Sequence, residues 1–182
     1  MENTNGNWVH LGGDEWSHLL QYQPRFADRC DWEKLDGHNW THLLIRQPSF
    51  ADKCDWGKLD GWCWAQLLAA HTEFADKCDW EKLSASDWYT LVYRRPEFAE
   101  KCDMSKFKGD DIVRLFREKN RISPAGLYGR IDECDFSTLS ASDWSEILAL
   151  RPDLVDKFEA STHDWSADTE EDPEEVLPEE EP

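Results

Sequence analysis

The sequence has no uninterrupted apolar run long enough to cross a bilayer, which excludes a single hydrophobic span. Its first seven residues, Met1 to Asn7, contain no basic residue and no apolar stretch, so no signal peptide is expected and the chain reads as cytoplasmic. There is no H-E-x-x-H, no G-x-S-x-G and no phosphate-cradling glycine loop. Without these, no cofactor is implied and an enzyme is the least supported class. Six cysteines are present, but none form a C-x-x-C pair, so the usual zinc-finger spacing is missing. No Lys or Arg follows Lys157, whereas eleven acidic residues do. Of the formal charge of −19, residues 1–157 therefore hold only −8. The segment 166–182 cannot bury a core and is expected to be a disordered acidic tail, either a solubilising appendage or an occupant of a basic surface on a partner.

What is present is a repeat. Phe-Ala-Asp-Lys/Arg-Cys-Asp starts at Phe26, Phe50 and Phe74 and returns as Phe98-Ala99-Glu100-Lys101-Cys102-Asp103, each start 24 residues after the last. A fixed period of this size marks stacked units that cannot bury their apolar faces alone. Trp8, Trp32, Trp56 and Trp80 are followed eight residues later by Trp16, Trp40, Trp64 and Trp88, with Phe136 and Trp144 in the last copy. Three and four residues on stand Leu19 and Leu20, Leu43 and Leu44, Leu67 and Leu68, Leu91 and Val92, which puts Trp and both aliphatics on one helical face. Ser84 and Ser140, each with Asp three residues later, predict helix N-caps, as do Asp36 and Asp60. Pro24, Pro48, Pro96 and Pro152 close each helix or open the next turn.

The expected unit is a helix of about ten residues, a short α or 3₁₀ turn, and a tight Cys-Asp-Trp-x-Lys-Leu link that forms either a 3₁₀ turn or a short strand. Six units result: 8–31, 32–55, 56–79, 80–103, 104–135 and 136–159. The first reads as a capping copy, and Ser161 to Trp165 is a fading echo at the other end. The fifth is eight residues longer, with Met104, Phe107 and Ile112 in place of Trp, Leu and Trp and an insertion at 120–129. The predicted architecture is all-α, a helix–3₁₀ solenoid over 1–165, with a leucine-rich-like stack of short strands as the alternative.

From Trp8 to Lys157 this pattern, W-x-x-L-L-x-x-x-P-x-F-A-D-K-C-D-W-x-K-L, resembles tandem repeats in proteins of gut bacteria and their phages. That resemblance transfers no activity. The period and the helix–proline layout are also similar to those of variant leucine-rich repeats, which implies a right-handed superhelix by analogy.

Cys30, Cys54, Cys78, Cys102 and Cys134 recur in register. Units stacked at roughly 9–10 Å would hold equivalent Cα atoms beyond the ~7 Å limit for a disulfide. The ladder therefore reads as buried, small apolar side chains, alongside the structural ladder Trp16, Trp40, Trp64, Trp88 and Trp144. Cys63 stands off the ladder and is expected to be the free, reactive thiol. His38 and His42 are four apart on a helix, but the local pattern supplies no third ligand, so the metal prediction is none. Asp31, Asp55, Asp79, Asp103 and Asp135 are expected to bond backbone N–H groups in the link. Lys34, Lys58, Lys82 and Lys106 are expected to form solvated stripes or pair with acidic neighbours.

Three functional classes remain. The first is a non-enzymatic protein-binding module presenting an extended surface. The irregular, basic fifth unit would then offer Arg114, Arg117, Arg121 and Tyr128 as contacts, although simple decay of the repeat explains the same irregularity. The second is an acidic inhibitor that occupies the basic channel of a nuclease or other nucleic-acid-handling enzyme. Its working parts would be Asp28, Asp52, Asp76 and Glu100, and the resemblance to phage-borne repeats implies an anti-CRISPR or other anti-defence role. The third, direct nucleic-acid binding by the fifth unit, is opposed by the net charge.

Overall fold

The computed structural model describes residues 8–117 and 127–161. The predicted tail at 166–182, most of the echo after Ser161, and Arg121 lie outside the described residues. Six main helices run Gly13–Tyr22 (α1), Gly37–Arg46 (α2), Gly61–Ala70 (α3), Ala85–Arg94 (α4), Asp110–Arg117 (α5) and Ala141–Leu150 (α6), and a short α7 follows at Val155–Glu159. Between them lie 3₁₀ segments, typically six residues long from the proline (Pro24–Arg29, Pro48–Lys53, Pro96–Lys101) and three residues long at the link (Trp32–Lys34, Trp56–Lys58, Trp80–Lys82). No strand occurs among the described residues, so the link is 3₁₀ and the strand alternative falls. No described helix is long and apolar enough to cross a membrane.

Local chemistry explains these boundaries. Asp36 accepts from the Asn39 N–H at 2.8 Å and Asp60 from the Cys63 N–H at 2.8 Å, each satisfying a donor that the first helical turn leaves without a partner. Ser84 with Asp87 and Ser140 with Asp143 form reciprocal capping boxes. Proline then starts the 3₁₀ segment, where its missing N–H costs nothing.

Each unit folds its aromatics onto one another. Trp8, Trp32, Trp56, Trp80 and Phe136 lie nearly parallel to Trp16, Trp40, Trp64, Trp88 and Trp144, with centroids 5.3 to 5.7 Å apart. Phe26, Phe50, Phe74 and Phe98 tilt against the outer Trp of their own unit at 5.3 to 5.6 Å. The inner tryptophans and the leucines after them form one continuous core, with Trp16, Trp64 and Trp88 wholly buried. Met104, Phe107 and Ile112 keep the core filled in the fifth unit. The five inner indole N–H groups are buried without a hydrogen-bond partner, so these side chains are held by packing alone.

Successive units pack helix on helix at α1–α2, α2–α3, α3–α4 and α5–α6. Close approach depends on the residue that starts each helix. A Cβ on Gly37 would lie 2.3 Å from the Lys58 carbonyl oxygen, and one on Gly61 2.3 Å from that of Lys82. In α4 the corresponding residue is Ala85, and the α4–α5 step is the looser one. At the corresponding position of the fifth unit, just before α5, Gly109 has φ +47°, a backbone state that a Cβ disfavours.

Two sets of side chains tie units to the one before: a lysine in units two to five, and the residue after the helix in units two to four. Lys34 Nζ donates to the Val9 and Leu11 carbonyls, Lys58 to Glu33 and Leu35, Lys82 to Gly57 and Leu59, and Lys106 to Glu81 and Leu83, at 2.6 to 2.9 Å. This corrects the expected stripe of solvated or acid-paired lysines: the partners are backbone carbonyls of the preceding link. The residue after each helix makes the second tie. Gln47 reaches the Gln21 carbonyl, His71 that of Ile45, and Arg95 that of Ala69, at 2.8 to 3.1 Å. These carbonyls belong to the last helical turn, where no intrahelical donor remains. In the irregular unit Arg130 does the same work, donating to Ala99 and Cys102.

Candidate interaction surface

The units differ from one another mainly on the outward face of the helices. At the position two before the inner Trp stand Asp14, His38, Trp62, Ser86, Asp110 and Ser142, and two after it His18, His42, Gln66, Thr90, Arg114 and Glu146. Packing does not fix these positions. This face includes Tyr22, Trp62 and Tyr93, which are 57, 41 and 60 % exposed. Cation–aromatic and ring contacts run across the steps: Arg46 over Tyr22 at 5.4 Å, Arg114 over Tyr89 at 3.9 Å, and His38 against Trp62 at 4.8 Å. Arg94 bonds Gln66 at 3.1 Å. Such contacts restrain these large side chains on the surface.

The 3₁₀ side is more uniform. Asp28, Asp52, Asp76 and Glu100 are all exposed and recur at the same place in successive units, with Asp132 and Asp156 continuing the series. Asp132 is paired with Lys157 at 2.7 Å. The neighbouring aspartate ladder has a clear structural task at three rungs, where Asp55, Asp103 and Asp135 accept from the N–H two residues on. The Ser105 and Ser137 hydroxyls also donate to Asp103 and Asp135 and, with those N–H groups, hold both carboxyls below their ordinary pKa.

The predicted contacts of the fifth unit have intrachain partners. Arg117 forms a two-pronged ion pair with Glu146 of α6, Arg114 covers Tyr89, and the half-buried Tyr128 packs edge-on to Phe116 while its hydroxyl accepts from Arg151 at 2.7 Å. Arg114 and Arg117 are nevertheless exposed.

The cysteine ladder is graded. Cys30, Cys54 and Cys78 are half-buried, and Cys102 and Cys134 are buried. Burial pushes the thiols of Cys30, Cys54, Cys78 and Cys102 up to about 12 and that of Cys134 to about 11. Cys63, expected to be the reactive thiol, has no exposed surface and is pushed to about 11 by burial. It is the third residue of α3, under the Asp60 cap, where helix packing covers it.

Cys63 also takes part in a grouping that local spacing missed. His38, Asp60 and Cys63 bring one ligand-type atom each within 4.8 Å of one another. The His38 Nε2 to Asp60 Oδ2 distance is 3.9 Å. His42, the neighbour the sequence suggested for His38, instead lies 6.4 Å from the Trp62 ring.

The fold class is an all-α array of helix–3₁₀ units with repeated tryptophan clusters. Comparison with protein-family models, curated proteins and solved structures finds no match to this chain.

Proposed function

We propose that the units continue one another as a right-handed solenoid and that the chain is a non-enzymatic protein-binding module whose contact surface is the outward helix face. The observation that supports it is the placement of Tyr22, Trp62 and Tyr93, large aromatics left exposed on the helix face where the units differ. A repeat array holds constant what packing requires, and exposed Tyr, Trp and Arg are the side chains that most often anchor partners.

The acidic row favours a second reading. Lys34, Lys58, Lys82 and Lys106, and three rungs of the link aspartates, have structural tasks, whereas Asp28, Asp52, Asp76 and Glu100 recur with no side-chain hydrogen bond or ion pair among the described residues. A row of carboxylates at roughly 9–10 Å spacing can face a basic nucleic-acid channel. On this reading the protein is an acidic phage-type inhibitor of a nuclease, in keeping with the resemblance of its repeat to those of gut bacteria and phages.

One experiment separates the two. Immobilised wild type is compared in host lysate with a Tyr22→Ala/Trp62→Ala/Tyr93→Ala variant and with one in which Asp28, Asp52, Asp76 and Glu100 become amides, all three shown to share one melting temperature. Specific partners lost only from the aromatic variant support the first reading. Partners lost only from the amide variant, with a steep salt dependence, support the second. A partner set unchanged in both refutes the two together.

A further inference from the structure

We infer that His38, Asp60 and Cys63 form a binding site for one borderline-soft divalent ion of the zinc type, held between the second and third units. The three ligand atoms lie within 4.8 Å of one another. Tetrahedral zinc at about 2.0–2.3 Å from N, O and S needs them slightly closer. His38 and Asp60 are exposed, and a small rotation of the imidazole and of the Asp60 carboxylate would close the gap, whereas Cys63 is fixed by burial. Together one thiolate, one carboxylate and one imidazole neutralise a divalent charge.

A second, independent observation singles out this step. In each of the four other ten-residue helices the third residue reaches back to the start of its own helix: Glu15 to the Gly12 N–H, Asn39 to that of Asp36, Asp87 to that of Ser84 and Asp143 to that of Ser140. In α3 that residue is Cys63, which closes no such box. In α3, whose start faces His38 of the preceding unit, the third residue therefore plays no such capping role. At the step before, the same slot is closed by a plain hydrogen bond, Asn39 Nδ2 to Asp14 Oδ1 at 2.7 Å. A ligand set on both sides of a packing step is also oriented in advance. Asp60 Oδ1 is held by the Cys63 N–H, leaving Oδ2 toward His38, and the His38 ring rests on Trp62.

The nature of the ion follows from the donors. Calcium and magnesium take all-oxygen shells, which this site lacks. The Lys82 ammonium, bonded to the Leu59 carbonyl beside Asp60, also opposes a cation bound by charge alone. A thiolate–imidazole–carboxylate set suits zinc. Three protein ligands leave the fourth position on the exposed side, open to water or to a side chain from a partner.

The test uses the full-length, chelator-treated protein. Cobalt(II) is titrated as a spectroscopic probe, then displaced with zinc, with affinities measured by competition against a chromophoric chelator. The expected result is one cobalt per chain with a thiolate-to-metal charge-transfer band that zinc abolishes. His38→Ala, a change at an exposed side chain, weakens zinc by at least about tenfold. Cys63→Asn, which installs the residue that α2 carries at the same place, removes the charge-transfer band while the circular dichroism spectrum stays that of the wild type. A cobalt spectrum without a thiolate band overturns the inference, as does a band that survives Cys63→Asn or a zinc affinity indifferent to His38→Ala. Should Cys63→Asn fail to fold, the His38→Ala affinity and the wild-type band decide the matter.

Discussion

Replacing Lys58 with Met removes the ammonium that joins the second and third units and leaves the methylene stem in place. Two bonds go, to the Glu33 carbonyl at 2.9 Å and the Leu35 carbonyl at 2.7 Å. A hydrogen bond to a charged group contributes about 1.5–3 kcal/mol. Here Lys58 is exposed and water can reach part of the site, so the low end applies to the pair as a whole and the expected loss is about 2 kcal/mol. For a chain of this length that is a fall in melting temperature of roughly 4–8 °C. Because each unit of a repeat array touches only its neighbours, the loss falls on one interface and broadens the urea transition followed by tryptophan fluorescence. Lys53→Met is the control, an exposed lysine with no hydrogen bond or ion pair among the described residues. If the two variants shift the transition equally, the ammonium–carbonyl tie does not hold the units together.

Gly37→Ala should destabilise by about 1–3 kcal/mol in thermal melts although alanine is the better helix former, because the new Cβ would lie 2.3 Å from the Lys58 carbonyl oxygen; a stabilised variant would refute the close-approach argument. Trp64→Ala should cost about 3–5 kcal/mol, and Trp64→Phe clearly less, since phenylalanine keeps a ring and removes the orphaned indole N–H; urea unfolding that ranks the two the other way would contradict packing as the sole support. Ser105→Ala with Ser137→Ala should raise the Asp103 and Asp135 carboxyls toward their ordinary range in an NMR titration. Their lowered native pKa contributes stability above the unfolded carboxyl range that is lost as pH falls through the native values, so the double variant should lose less of its stability on acidification than the wild type. The thiols of Cys30, Cys54 and Cys78 are raised to about 12, so the native state is favoured below the unfolded thiol range and that contribution fades as pH climbs from there toward 12; melting temperatures that stay flat across this alkaline window would count against the burial of the ladder.

The helices were legible because their signals are local. Trp, Leu and Leu at helical spacing mark the buried face, Asp36, Asp60, Ser84 and Ser140 mark the starts, and proline marks the turn that follows. The ties between units were not, because the acceptors of Lys58 and Arg95 are backbone carbonyls, which no side-chain pattern records. Cys63 misled for a related reason: its distance from the cysteine ladder suggested exposure, whereas its place in the first turn of α3 sets it beneath the neighbouring helix. Its grouping with His38 and Asp60 joins residues 25 and 22 positions apart, close to the 24-residue period but not equal to it. A search at one repeat length plus or minus two would have found it, as it would have found Ser17 donating to the Asn39 carbonyl and Asn39 to Asp14.

The lysine ties all point the same way, from each unit back to its predecessor. A ribosome releases the acceptor carbonyls before the donor lysine, so each of these four lysines emerges with its docking partner already made. Assembly can thus advance one rung at a time in step with translation, without a distant segment having to arrive first. The same polarity makes the two ends unlike. Within this set of ties, removing rungs from the C-terminal side frees backbone carbonyls, whereas trimming from the front frees lysine ammonium groups.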